Sequence, residues 1–125
     1  MQIDSPHFKE TKFGDEISFA GATFGDFANF TRAGFGVFPN FDSVKFGSQT
    51  NFSAAAFGNR ISSRATELNI TCFRGSSFRY QTNFRDVGFG GQTDFTGSTF
   101  GNLAFFIQVR FDELACFQGS TFEGE

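Results

Sequence analysis

The sequence predicts an all-β solenoid, in which short strands coil around one axis, and three observations support this fold class. Phe accounts for 23 of the 125 residues. It recurs at spacings that alternate between five and six residues, which gives a repeat of eleven. The position two residues before each of these Phe residues holds a small or β-branched residue. A fixed period of this kind is the signature of a stacked repeat protein.

The Phe series runs from residue 8 to residue 122. Counted through the interval 58–72, it has 22 positions, of which Ser63 and Leu68 are the two that are not Phe. Residues two apart in an extended chain point to the same side, so each Phe and its small partner are expected in one core, with a solvent-facing residue between them. A helix is excluded, because spacings of five and six do not keep one stripe at 3.6 residues per turn. We expect the coil that contains Ser63 and Leu68 to be the least stable.

A small residue, a polar residue, a central Phe and two further residues in tandem resemble the Phe-centred branch of the pentapeptide-repeat family, and the resemblance covers residues 6–124. It implies a right-handed quadrilateral β-helix in which four faces make one coil. Every second face carries one extra residue, so a coil would hold about 22 residues and residues 1–125 would form one domain of about 5.5 coils. The extra residues are Glu16, Phe27, Phe38, Gln49, Arg60, Gln81, Gln92, Leu103 and Leu114.

Glycine placement indicates where the chain turns. Gly follows the Phe on most faces that precede an extra residue, as at Gly14, Gly47 and Gly101. We expect these glycines to adopt positive φ at sharp corners, since glycine has no Cβ. Elsewhere Gly falls two places after Phe, as at Gly21 and Gly97, so two kinds of corner are predicted.

Composition argues against an enzyme, a cofactor site and a metal site. His7 is the only His, and the sequence contains neither a complete set for nucleophilic catalysis nor a phosphate-binding glycine loop. Cys72 and Cys116 should lie about 10 Å apart in one column with Asp94 between them, too far for a disulfide. We expect free thiols. The sequence shows neither a signal-peptide pattern nor an apolar run long enough to span a membrane. We therefore expect the protein in the cytoplasm and not at a membrane.

Two sets of residues are candidates for a partner surface. Arg64, Arg74, Arg79 and Arg85 should form a girdle around the middle coils, either as solvated side chains or as a binding site. The net charge of −3 and the lack of a one-sided basic patch disfavour nucleic acid. The second set is apolar and outside the core lattice; it either covers the corners or forms an interaction surface. It comprises Phe38 and Leu103 on one expected edge, Phe27 and Leu114 on the opposite edge, and the outward Phe105.

These features favour a non-enzymatic structural or protein-interaction rod with an unknown protein partner. One alternative comes from the resemblance, since some pentapeptide-repeat proteins mimic DNA and protect gyrase. A second alternative is an ice-binding solenoid, which needs one face of regular Thr. The face with the most hydroxyl-bearing residues is expected to carry Lys12, Gly34, Ala56, Ser77, Thr99 and Thr121 in its outward column, which is not a regular row of Thr.

The ends of the solenoid need a cover, because terminal coils expose core rings and unpaired strand edges. Residues 1–6 packed across one end, further sequence, or a second copy could provide it. For the last coil we expect an end-to-end homodimer through Phe117 and Phe122.

Overall fold

The computed structural model describes residues 2–3, 7–58 and 69–123. In these ranges the chain forms sixteen short strands and no helix. Their bounds are Gln2–Ile3 (β1), Lys12–Phe13 (β2), Thr23–Phe24 (β3), Gly34–Phe35 (β4), Lys45–Phe46 (β5), Ala56–Phe57 (β6), Ile70–Cys72 (β7), Ser77–Phe78 (β8), Thr82–Asn83 (β9), Gly88–Phe89 (β10), Gln92–Asp94 (β11), Thr99–Phe100 (β12), Ala104–Phe105 (β13), Arg110–Phe111 (β14), Ala115–Cys116 (β15) and Thr121–Phe122 (β16).

Parallel pairing sorts these strands into four faces of a right-handed quadrilateral solenoid of about five turns. Face 1 contains β1, β3, β5, β8, β12 and β16, and face 3 contains β2, β4, β6, β10 and β14. Face 2 contains β9 and β13 and continues through bridges to Asn51, Asn29 and His7. Face 4 contains β7, β11 and β15 and continues through bridges to Asn40 and Ser18. The predicted fold class is therefore confirmed.

The number of coils differs from the expected 5.5. Paired residues are 22 apart along most of the chain, as in Thr99 and Thr121, but 32 apart across residues 59–68, as in Lys45 and Ser77. Ser63 and Leu68 lie outside the described residues, as does the expectation of a weak coil there. Strands on either side of this interval pair directly with each other, so the described residues form about five coils.

Phe rings fill the interior and explain why the repeat requires Phe. Rings one coil apart stack face to face, for example Phe41 on Phe73 at 4.8 Å and Phe46 on Phe78 at 4.6 Å. Rings on neighbouring faces meet edge to face, as Phe78 and Phe84 do. Both arrangements suit the aromatic quadrupole. The small partners, such as Ala28, are equally buried, so the two-column core prediction is confirmed.

Corners are of two kinds, as predicted, but the reason for the glycines after Phe is different. At most described corners of the first kind the extra residue itself adopts positive φ, for example 64° at Phe27 and 62° at Leu103, although Gln92 and Leu114 do not. A Cβ on Gly47 would lie 2.7 Å from the carbonyl carbon of Gly25, one coil below. The expectation of positive φ is wrong for Gly14, Gly47 and Gly101. At Gly47 and Gly101 the backbones of stacked coils approach too closely for a side chain.

The two ends of the solenoid differ. Gln2–Ile3 pairs in register with Thr23–Phe24, so this part of the N-terminal segment extends face 1. At the other end the Phe rings of the last coil are only partly covered, and Phe122 is 56 % exposed. Within the described ranges, nothing helical is of the length and apolar character needed to span a bilayer.

Candidate functional site

The cysteine column has the predicted geometry. Cys72 and Cys116 both pair with Asp94 from opposite sides, and both thiols are free. Burial, with the nearby Asp42 carboxylate, raises the pKa of Cys72 from its ordinary value of 9.0 to about 11. Cys116 is less buried, and its Sγ lies 3.3 Å from the hydroxyl of Thr96. The Cys72 thiol is therefore protonated and unreactive at neutral pH. Across residues 7–58 and 69–123, His, Cys, Asp and Glu form no group of three that could hold a metal ion.

The structure places Arg74, Arg79 and Arg85 at three successive corners of one coil, and all three are exposed. Arg64 lies outside the described residues. Arg74 is engaged by Asp42 of the coil below, with 2.6 Å between Nη2 and Oδ2. The hydrogen bonds from the Arg74 guanidinium to Asp42, together with the charge of that carboxylate, raise the pKa of Arg74. The Asp42 carboxylate also accepts the backbone N–H of Arg74. One member of the girdle thus contributes to joining two coils.

The apolar extra residues are grouped differently from the expectation. Phe27 and Leu103 share the edge between faces 1 and 2, whereas Phe38 and Leu114 share the edge between faces 3 and 4. The expected pairing of Phe38 with Leu103, and of Phe27 with Leu114, is wrong because residues 59–68 were counted as half a coil. Phe27 is 57 % exposed and Leu114 70 %, but Phe38 is half-buried.

The same correction applies to the outward columns. Lys12, Gly34 and Ala56 are followed on face 3 by Gly88 and Arg110. The residues Ser77, Thr99 and Thr121 belong to face 1, where Thr23 and Lys45 precede them. The column named in the sequence analysis therefore combines two faces, and Lys45 interrupts the hydroxyl-bearing one.

A groove of about 480 Å³ runs along face 2 and its edge with face 1. Two parallel columns of side chains line this groove, and we call it the carboxamide groove. Its outward column is His7, Asn29, Asn51, Asn83 and Phe105, and its edge column is Phe27, Gln49 and Gln81. The sequence analysis did not identify this groove, although Asn precedes Phe at residues 29, 51 and 83.

The three asparagines of the groove are held rigidly. Asn29, Asn51 and Asn83 are bridged in register, and each Oδ1 accepts the backbone N–H two residues further on, at 2.8–3.0 Å. These are Asx turns, which fix the plane of each carboxamide. An Asn amide nitrogen carries two donors. The Nδ2 groups consequently repeat at the coil spacing of about 4.8 Å along the groove.

Most of the exposed large apolar side chains among the described residues lie in the last coil. Phe122, Leu114 and Ile107 are exposed, and Phe117 is half-buried. A second groove, of about 620 Å³, lies beside this end and is lined by Tyr80, Leu103, Phe122 and Glu123 among others. Phe117 and Phe122 stack on Phe95 and Phe100 of the preceding coil, which leaves their opposite faces uncovered by the chain's described residues.

No family model matches this sequence, and the searches of curated proteins and of solved structures give no match either.

Proposed function

We propose that the chain is a pentapeptide-repeat protein that acts as a non-enzymatic structural or protein-interaction module. The five-and-six Phe spacing and the four-faced coil support the family assignment. The free thiols support a reducing compartment such as the cytoplasm.

The observation that carries the functional part is the solid interior. In the middle coils, rings such as Phe52, Phe73 and Phe84 are fully buried and pack against one another. Polar side chains that resemble site residues, such as Asp15 and Asp26, accept backbone N–H groups of the next coil. The side chains that another molecule can contact therefore lie on the outer surface of the solenoid, and this arrangement suits binding rather than catalysis.

The partner proposed for the C-terminal end is a second copy of this chain. Within the described residues, the outer faces of the last rings and the outer edges of β13–β16 have no cover, and such surfaces favour association. A second copy offers the same apolar end, so the two could meet across a twofold axis. Glu113 and Glu123 are exposed on this coil, so we expect salt to strengthen the association by screening their repulsion.

Sedimentation velocity tests this proposal. The wild-type sedimentation coefficient should rise with protein concentration, and Phe122→Asp should abolish the rise by placing a charge in the contact. Phe27→Asp is the matched control, because Phe27 and Phe122 are 57 % and 56 % exposed but lie near opposite ends. A monomer at every accessible concentration, or equal effects of the two substitutions, would contradict the proposal.

The DNA-mimic alternative receives less support. Mimicry requires rows of unneutralised acids, whereas Asp42, Glu10 and Asp112 are each paired with an arginine. The ice-binding alternative is disfavoured by Lys45 within the hydroxyl-bearing column of face 1.

A further inference from the structure

We propose that the carboxamide groove binds an extended, uncharged oligosaccharide that lies parallel to the solenoid axis. This inference concerns the outward side of face 2, which reaches the last coil only at Phe105, and goes beyond the proposed function.

The first argument is the match between the donor array and a glycan. Asn29, Asn51 and Asn83 present amide donors at one-coil intervals, and Gln49 and Gln81 line the groove beside them. Carboxamides both donate and accept hydrogen bonds, as sugar hydroxyls do. In an extended β-1,4-linked glycan, each sugar advances by a length close to the coil spacing of ~4.8 Å and is turned by about half a revolution relative to the one before. Every second sugar therefore presents the same edge, and alternate sugars can meet equivalent groups on every second coil.

The second argument is the position of the aromatic residues. Phe27 lies at the edge beside Asn29, and Phe105 lies three coils further along in the outward column. The two levels are separated by roughly 14 Å, three times the coil spacing. Both rings are exposed. An apolar ring covers the C–H face of a sugar, so the two rings can hold both ends of a short chain while the amides bind its hydroxyls.

The third argument is the charge and the pairing of the groove. Except for His7, its lining side chains carry no ionisable group, so a phosphorylated or acidic ligand would have few cations to meet. A peptide that adds as a strand needs an unpaired sheet edge. Along the groove, Asn29, Asn51 and Asn83 are each paired on both sides, so a strand edge is open only at the two ends. An uncharged polyhydroxyl chain fits both features.

The test uses the full chain and three defined probes: the β-1,4-linked hexamers of glucose and of N-acetylglucosamine, and the α-1,4-linked glucose hexamer. Binding is followed by titration calorimetry and by the side-chain amide signals in ¹H–¹⁵N NMR spectra. We expect at least one straight β-linked hexamer to bind and to shift the amide signals of Asn51 and Asn83. The curved α-linked hexamer should bind more weakly.

Variants locate the site. Phe27→Ala should weaken binding by about tenfold through lost apolar contact, and Gln49→Ala by about fivefold through one lost hydrogen bond. Leu114→Ala and Gln92→Ala are matched exposed controls near the opposite edge and should bind as the wild type does. Alanine retains the Cβ at residue 27, so the melting temperature should change little.

The proposal is overturned if neither β-linked hexamer binds at millimolar concentration. It is also overturned if the groove variants and the controls lose affinity equally, since binding would then lie elsewhere. Because Phe122→Asp leaves the groove intact, it should retain oligosaccharide binding even where it abolishes self-association. The two proposals can therefore fail independently.

Discussion

Truncation of one central ring measures how strongly the stacked core stabilises the fold. Phe84 is fully buried, stacks on Phe52 at 5.2 Å and on Phe106 at 4.9 Å, and contacts four more rings at its sides. Phe→Ala in a core costs about 3 to 5 kcal/mol. We expect Phe84→Ala to fall at the upper end of this range, because the strand pairing on every face fixes the coil spacing and prevents collapse of the cavity.

Asn83→Ala is the control on the adjacent outward position. Its sequence position alone predicts a negligible effect, but Asn83 Oδ1 accepts the N–H of Arg85 at 2.8 Å. Loss of this hydrogen bond should cost about 1 kcal/mol. Both variants are compared by urea unfolding with a shared m value. Equal losses for the two variants, or a loss of less than about 2 kcal/mol for Phe84→Ala, would refute the role assigned to the rings.

Two further predictions concern backbone contact and thiol chemistry. Gly47→Ala should destabilise the protein by about 1 to 3 kcal/mol in urea unfolding, because its Cβ would meet the backbone of Gly25. Gly14→Ala, which meets nothing within 4 Å, should be neutral or slightly stabilising, and the reverse order would contradict the close-approach explanation. Cys116 should react with an aromatic disulfide reagent before Cys72. The raised pKa of Cys72 should stabilise the folded state fully below pH 9.0, and this stabilisation should be lost as the pH rises to about 11. Cys72→Ala should remove that part of the pH dependence; an unchanged profile would refute its assignment to this thiol.

The sequence was sufficient to predict the core, because the core obeys a local rule. A buried ring stacked on an identical ring requires the same residue in every coil, so the pattern is visible in the sequence as a fixed Phe spacing. The free cysteines on either side of Asp94 follow from the same count, since complete coils separate them. The corners were predicted less completely. The spacing identifies most of the extra residues, but the reason for glycine after Phe depends on the distance between stacked backbones, which the sequence does not show.

The arrangement of the surface could not be predicted in the same way. Two faces take eleven residues in a count by fives and sixes, so the ten residues 59–68 fit half a coil with one residue missing. Strand pairing resolves this ambiguity, because Asn51 bridges Asn83 directly. Each outward column therefore combines different residues after this interval from those that the sequence count assigned to it. The carboxamide groove, which joins Asn29 and Asn51 to Asn83, was consequently absent from the sequence prediction.

The edge between faces 1 and 2 also shows why specificity should reside at the corners. Phe27 and Leu103 adopt positive φ, a conformation that is unfavourable for residues with a Cβ and free of steric cost for glycine. Phe27 is 57 % exposed, so its ring buries little area in return for this backbone cost. The stability of the monomer therefore gives little reason for Phe at this position. A role in binding does give one, because the ring extends the neutral lining of the carboxamide groove at the level of Asn29.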